Sequence, residues 1–146
     1  MMIHRSNQKR EAATIVEFAA VASVFVLIFF GIFEFCMAVY AYNIVEAAAR
    51  EGCRYGVVNV TDTTMIADTQ NTTKTFMCGL EKWPGYSCNV YLADSSGTNI
   101  GTATTAKFGE YVCVDVQVTY VPMTPGLGFL KTFTLRSKCS MGSEAN

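Results

Sequence analysis

Hydrophobic residues are concentrated in one long run near the N-terminus of the chain. Between residues 12 and 45 the only charged side chains are Glu17 and Glu34. A helix that crosses a bilayer needs about 20 mostly apolar residues at 1.5 Å per residue. Residues 18–42 supply that length with a single acid inside. The pattern therefore predicts one membrane-spanning helix followed by a more polar domain.

Two other kinds of segment can be this apolar: a cleaved secretory signal and the buried central helix of a globular fold. A secretory signal has a short apolar core and then a small-residue cleavage site. This run instead continues into YNIVEAAAREGCRYG, which is itself a helical sequence. A chain of 146 residues also leaves little protein to surround a helix that is apolar on all sides. Both readings are disfavoured.

The helix is predicted to continue beyond the membrane. Three consecutive alanines favour helix, and Glu46 faces Arg50 across one turn. Gly52 and Gly56 are plausible stops. A helix over residues 13–55 would be about 65 Å long, more than a bilayer requires. Its distal half must therefore pack on its own domain or on a neighbouring chain.

The C-terminal part has the alternation of a half-buried sheet. YVCVDVQVTYVPM and FLKTFTLRSKCSM predict two strands, and the Pro-rich and Gly-rich segment between them makes these strands antiparallel neighbours. YSCNVYLAD and IGTAT predict a further strand and an edge strand. Four valines form the apolar face of the central strand, and Asp115 is expected to be solvated on the other face: Val112, Val114, Val116 and Val118 alternate with Cys113, Asp115, Gln117 and Thr119.

A second helix is predicted over residues 62–80. Its inner face would be Met65, Ile66, Thr69, Phe76, Met77 and Leu80. The economical architecture is an α+β fold, in which the long N-terminal transmembrane helix extends into a small antiparallel β-sheet domain and covers the valine face.

Charge and motifs exclude several classes of function. The net charge is −1 and the pI is near 5.8, with no basic stripe, so nucleic acid is not an expected partner. The sequence has no GxSxG, P-loop, HExxH or Gly-rich dinucleotide turn. A lone His4 and the lack of CxxC disfavour a metal site or thiol catalysis. We therefore expect no enzyme activity, no cofactor and no small-molecule substrate.

The charges flanking the apolar run predict its orientation. Arg5, Lys9 and Arg10 precede it against a single Glu11, whereas the charges that follow it cancel: Glu46, Arg50, Glu51 and Arg54. The N-terminus is expected in the cytoplasm and the C-terminal domain outside it, where disulfides are permitted.

The six cysteines divide accordingly. Cys36 lies in the membrane run, and the other five would be external. Cys78 and Cys88, ten residues apart, favour a local disulfide, and Cys113 with Cys139 on neighbouring strands is a second pairing. Cys53 would be left over.

Three segments in order resemble the TadE-like pseudopilins of tight adherence (Tad, Flp-type IV) pilus systems. They are ATIVEFA, FGIFEF and AAAREGCRYGV, and the likeness covers roughly residues 10–58. The resemblance implies a pilin-like fold, a place in the bacterial inner membrane or on the cell surface, and three kinds of partner: other pilins or pseudopilins, the pilus assembly platform and a prepilin peptidase.

The family pattern also implies roles for individual residues. The prepilin peptidase would cut between Ala12 and Ala13, which makes Glu17 the fifth residue of the mature chain, although such leaders typically end in glycine. Glu17 would then pair with the new α-amino group of a neighbouring subunit. The alternative is that Glu17 sits in water and headgroups at the cytoplasmic interface. Helix length, independently of the family, sets Glu34 about 25 Å further along and so at the outer headgroup level. The alternative, which the resemblance favours, is a pairing role for Glu34 in a helix bundle.

The sequence thus predicts three regions: a cytoplasmic leader over 1–12, a long transmembrane helix over 13–56 and an extracytoplasmic α+β domain over 57–146. The function predicted is a TadE-like minor pseudopilin or pilus-assembly protein. One alternative is an uncleaved, single-pass, signal-anchored surface protein whose outer domain binds a partner. A membrane-tethered hydrolase or thiol enzyme is a further alternative.

Overall fold

The computed structural model describes residues 4–123 and 131–143, with side chains from Glu11 onward. It contains two α-helices, α1 (His4–Val58) and α2 (Met65–Phe76), and four strands. The strands are β1 (Ser87–Ala93), β2 (Asn99–Gly101), β3 (Tyr111–Tyr120) and β4 (Phe133–Gly142). Short 3₁₀ turns occupy Leu80–Lys82 and Ala103–Thr105. One long apolar helix with a small antiparallel sheet confirms the predicted α+β fold.

The sheet has the strand order β2-β1-β3-β4, and every neighbouring pair is antiparallel. The predicted pairing of the last two strands is confirmed, with Val118 opposite Leu135 and Val114 opposite Cys139. The valine face of β3 is buried and joins the distal half of α1 in one hydrophobic core. The sheet therefore covers one side of the distal half of α1.

Helix α1 is 55 residues long, about 80 Å at 1.5 Å per residue. Its buried positions follow the helical repeat, mostly at spacings of three, four or seven residues, and form one stripe facing the sheet, as expected for a helix packed along one side. The members of this stripe are Glu34, Ala41, Val45, Ala48, Ala49, Cys53 and Val57. From Glu11 to Phe30 every residue except Ala22 is exposed.

The prediction that Gly52 and Gly56 end the helix was wrong, because α1 continues through both to Val58. The two glycines instead admit α2. A Cβ at Gly52 would lie 2.0 Å from Thr73 Oγ1, and one at Gly56 would lie 3.3 Å from Thr69 Oγ1. Both threonines are fully buried. The glycines therefore allow the backbones of two helices to approach closely.

Helix α2 is shorter than the segment predicted over residues 62–80. After Phe76 the chain turns, and Cys78 and Gly79 have φ values of 52° and 97° in the left-handed region, which ends the helix. Phe76 is 45% exposed and so is not on the inner face, whereas Thr73 is. Met77 and Leu80 reach the core from beyond the helix end.

Asp115 is not solvated, contrary to the expectation from strand alternation. It is 6% exposed on the sheet face that points away from α1. Arg136 of β4 donates to both of its carboxylate oxygens, through Nε at 2.8 Å and through Nη2. Lys138 Nζ lies 3.9 Å from Asp115 Oδ2. The strand pattern alone did not show that two cations of the next strand would cover this carboxylate.

Candidate functional site: the exposed helix and its junction with the sheet

The N-terminal half of α1 projects from the rest of the molecule. Its large apolar side chains are exposed on every side of the helix, with Phe18 at 74%. In the part of the chain that the structure describes, α1 is the one helix long and apolar enough to cross a membrane. Its most apolar window is not buried by the other residues of the described ranges. A helix that is apolar all round and uncovered requires an apolar surrounding, which is the condition of a membrane anchor.

The predicted processing and pairing residues lie near the start of this exposed segment. Ala12, Ala13 and Glu17 are all exposed and all belong to α1. Ala13 and Glu17 are four residues apart and so lie on the same face of the helix, whereas Ala12 is one position off it. The structure thus places the carboxylate about one helical turn from the residue whose amino group processing would expose.

Glu34 marks the junction between the exposed half of α1 and the sheet. It is 3% exposed, and its carboxylate accepts hydrogen bonds from the last residue of β3 and from the backbone three residues further along. Tyr120 Oη donates to Glu34 Oε1 at 2.5 Å, and the Met123 backbone N–H donates to the same oxygen at 3.0 Å. Tyr120 is itself 1% exposed. The carboxylate therefore ties the helix to the last residues of the central strand.

Aromatic rings surround this hydrogen bond. Tyr120 packs against Trp83 with ring centroids 5.5 Å apart, and against Phe133 at 5.1 Å. Burial, and secondarily the hydrogen bond to Glu34, raise the pKa of the Tyr120 phenol. The phenol therefore stays protonated and keeps its role as donor across the physiological pH range.

The expectation that Glu34 is a carboxylate at the level of the headgroups was wrong in its surroundings. The side chain is covered by protein instead of headgroups and water. Sequence reasoning missed its partners, Tyr120 and Met123, because both are distant along the chain. A local signal was present, since Glu34 is in helical phase with Ala41 and Val45 of the buried stripe.

The structure gives a position for each of the six cysteines. In β3 and β4, Cys113 is opposite Ser140 and Cys139 is opposite Val114, so the two cysteines are one register position apart and point to opposite faces. Cys78 is exposed just after α2, and Cys88 is half-buried on β1. All six are free thiols in this structure. Cys53, predicted to be left over, faces β4.

No catalytic or metal-binding cluster emerges from the described ranges, 4–123 and 131–143. Within them no group of three or more His, Cys, Asp or Glu side chains is placed to hold a metal ion. The buried acids, Glu34 and Asp115, are each engaged by donors of the same chain.

Comparison with known proteins gives one match. Residues 12–54 match the family described as TadE-like protein. No curated protein and no solved structure matches the chain. The matched segment begins at Ala12, includes Glu17 and Glu34, and ends one residue after Cys53. The TadE-like family is a component of pilus assembly and is not known as an enzyme. The match confirms the predicted family resemblance and supports a membrane-anchored, Tad pilus-associated protein whose TadE-like segment is residues 12–54.

Proposed function

We propose that this chain is a TadE-like minor pseudopilin or pilus-assembly protein that acts by lateral association of its helix in the membrane. The observation that carries the proposal is the division of α1 into two halves. The distal half is covered by the chain's own sheet, whereas the apolar window of the proximal half is not covered by any of the residues that the structure describes. Other pilins or pseudopilins, and the pilus assembly platform, are the partners that such a helix fits, and incorporation into a Tad/Flp-type pilus is the outcome.

The proposal places the protein in the bacterial inner membrane with a single pass. Arg5, Lys9 and Arg10 keep the N-terminus in the cytoplasm, because positive flanks are retained on that side. The sheet and α2 then lie outside the cytoplasm. The region from residue 57 onward is the extracytoplasmic domain, and the buried distal half of α1 belongs to it structurally.

Prepilin peptidase is proposed to remove residues 1–12 by cleavage between Ala12 and Ala13. Both residues are small and exposed, and the TadE-like match begins at the first of them. The released α-amino group of Ala13 would carry a positive charge at the membrane surface, where charge is costly unless it is paired. The exposed Glu17 of an adjacent subunit supplies the opposite charge, which gives helix association a fixed stagger.

The decisive experiment is to determine the N-terminal residue of the protein purified from its native membranes. Ala13 is the expected residue. Ala12→Gly should be processed at least as completely, and Ala12→Leu should accumulate as the full-length form. An intact Met1 or Met2 in the native protein would contradict the processing step. It would instead favour an uncleaved, signal-anchored surface protein, a reading that draws support from alanine standing where such leaders typically have glycine.

Glu17 is tested by assembly. Glu17→Ala should insert into membranes normally but lose co-purification with pilin partners by tenfold or more, because the amino group in the interface would be unpaired. Glu11→Gln is the matched control, since Glu11 lies in the segment proposed to be removed. Normal assembly of Glu17→Ala would show that amine pairing is not the basis of association.

A further inference from the structure

Two cysteines meet where β4 packs on α1. Cys53 belongs to the buried stripe of α1 and is fully buried. Its sulfur lies 3.2 Å from the Val112 carbonyl oxygen of β3 and 3.4 Å from the Cys139 carbonyl oxygen of β4. The Cys53 side chain is therefore in direct contact with the strand segment that carries Cys139.

The register of the sheet directs the Cys139 side chain towards the same interface. Cys139 is opposite Val114, whose side chain is in the core with Cys53. Cys139 is half-buried and packs against that core. Burial, together with the nearby Cys139, raises the pKa of Cys53. This is the geometry of two neighbouring thiols, and Cys113 points away from it.

We propose that Cys53 and Cys139 are a disulfide-forming pair that fastens the last strand to the long helix. In the cell the proposal rests on the orientation given under the proposed function, because structural disulfides persist only outside the reducing cytoplasm. The bond would join residues 86 positions apart and would enclose α2 and β1 to β3 in one covalent loop. Loops of this length constrain the unfolded chain most strongly.

The oxidant is a disulfide of an external dithiol, and the exchange proceeds in two steps. The Cys139 thiolate attacks one sulfur of that disulfide, because Cys139 is the more accessible of the pair, and one oxidant thiol leaves. The Cys53 sulfur, losing its proton to solvent, then attacks Cys139 Sγ and releases the second oxidant thiol. One protein S–S bond forms from two thiols, and the oxidant gains the two electrons and two protons.

In this proposal Cys53, which the sequence analysis left unpaired, forms a disulfide with Cys139. Cys139 is then no longer available to pair with Cys113. Cys78 with Cys88 stays as a separate proposal, because Cys78 follows α2, Cys88 is the second residue of β1, and only ten residues separate them. The two pairings are compatible with each other, whereas Cys53 with Cys139 and Cys113 with Cys139 are mutually exclusive.

Peptide mapping tests the pair directly, because trypsin separates every cysteine. Cleavage after lysine and arginine places Cys53 in residues 51–54, EGCR, and Cys139 in residues 139–146, CSMGSEAN. The full chain is purified reduced in detergent, incubated with oxidised glutathione, blocked with an alkylating reagent and digested without reduction. The expected product is EGCR joined to CSMGSEAN, which separates on reduction. Recovery of EGCR as an alkylated peptide, or joined to any other cysteine peptide, would overturn the proposal.

Variants give matched controls for the mapping. Cys139→Ser should leave Cys53 alkylated, whereas Cys78→Ser, at an exposed position, should leave the Cys53–Cys139 product unchanged. The wild-type map decides the question even where a variant fails to fold. Protein taken from native membranes after acid quenching forms a separate arm. If the pair forms with glutathione but is reduced in native membranes, the proposed orientation fails and the pairing stands.

Discussion

At the scale of single residues, the two glutamates of the apolar run have different surroundings and therefore different consequences. Glu17 is exposed on the projecting half of α1, and Glu34 is 3% exposed beneath Tyr120 and the Met123 backbone. A buried hydrogen-bond donor that loses its acceptor costs its full desolvation penalty, whereas an exposed carboxylate contributes little to folding. We therefore expect substitutions of Glu34 to change the stability of the fold and substitutions of Glu17 to change association with other helices.

Glu34→Ala should lower the free energy of unfolding by about 2 kcal/mol, because the buried Tyr120 hydroxyl and the Met123 N–H lose their acceptor. Glu34→Gln should cost less, since its amide oxygen can still accept. The measurement is chemical or thermal unfolding of the full chain in detergent, followed by the circular dichroism of the sheet. Glu17→Ala is the control and should leave the unfolding midpoint unchanged. Equal effects of the two alanine variants would show that Glu34 does not anchor the sheet.

Residue-scale contacts were also the least predictable from the sequence. Asp115 was expected to be solvated, because strand alternation assigned it to the outer face, but Arg136 and Lys138 cover it. Cys113 and Cys139 were a candidate pair because their strands are neighbours. The register places Cys113 opposite Ser140 and Cys139 opposite Val114, so the two side chains point to opposite faces of the sheet. Tertiary register is set by contacts across the whole sheet, so the spacing of cysteines along the chain did not contain it.

At the scale of elements, hydrophobic periodicity located the strands well. The alternation over residues 112–119 predicted β3, and Pro and Gly between the last two strands predicted their antiparallel pairing. Glycine was ambiguous, because a helix end and a close helix contact both favour it. Gly52 and Gly56 were interpreted as stops, but the structure uses the missing side chains to admit Thr69 and Thr73. The position of α2 is needed to decide whether these glycines end the helix or allow a close contact between helices.

Gly52→Ala should therefore destabilise the protein by about 1–3 kcal/mol, because the new Cβ would lie 2.0 Å from Thr73 Oγ1 and α2 must shift. The intrinsic preference of helices for alanine over glycine, about 1 kcal/mol, offsets part of this loss. Gly31→Ala is the matched control in the same helix. Since no atom of the described residues lies within 4 Å of a Cβ built there, this variant should be neutral or stabilising.

The Gly52 contact is isolated by a double-mutant cycle measured by thermal unfolding. Thr73→Ala removes the hydroxyl that Gly52→Ala would strike, so the double variant should lose less stability than the two single variants summed. Gly56→Ala, with its nearest atom at 3.3 Å, should be milder than Gly52→Ala. Additive effects at positions 52 and 73 would mean that the two helices do not press on each other there.

At the scale of the whole molecule, α1 belongs to two environments. Its distal half completes the core of the sheet, and its proximal half is apolar and uncovered. Length and composition predicted this division, because a helix of residues 13–55 exceeds a bilayer. The sequence did not show where the division falls. The structure places it at Glu34, where the buried stripe begins and the all-round exposure ends.

Removal of residues 1–30 should therefore give a soluble, monomeric protein that keeps α2 and the sheet. The shortened chain retains Gly31 and the Glu34–Tyr120 hydrogen bond, and Glu34 would lie in the first turn of the new helix, where acidic side chains are favourable. The full chain should float with lipid vesicles in a density gradient, whereas the shortened chain should stay at the bottom and elute as a monomer in gel filtration. Adding Glu34→Ala to the shortened chain should lower its melting temperature. The two changes together would show that the proximal half of α1 controls solubility and that the Glu34 contact in the distal half controls stability. Flotation of the shortened chain would place membrane binding on the sheet, and an unfolded product would show that the proximal half of α1 is needed to fold the distal half.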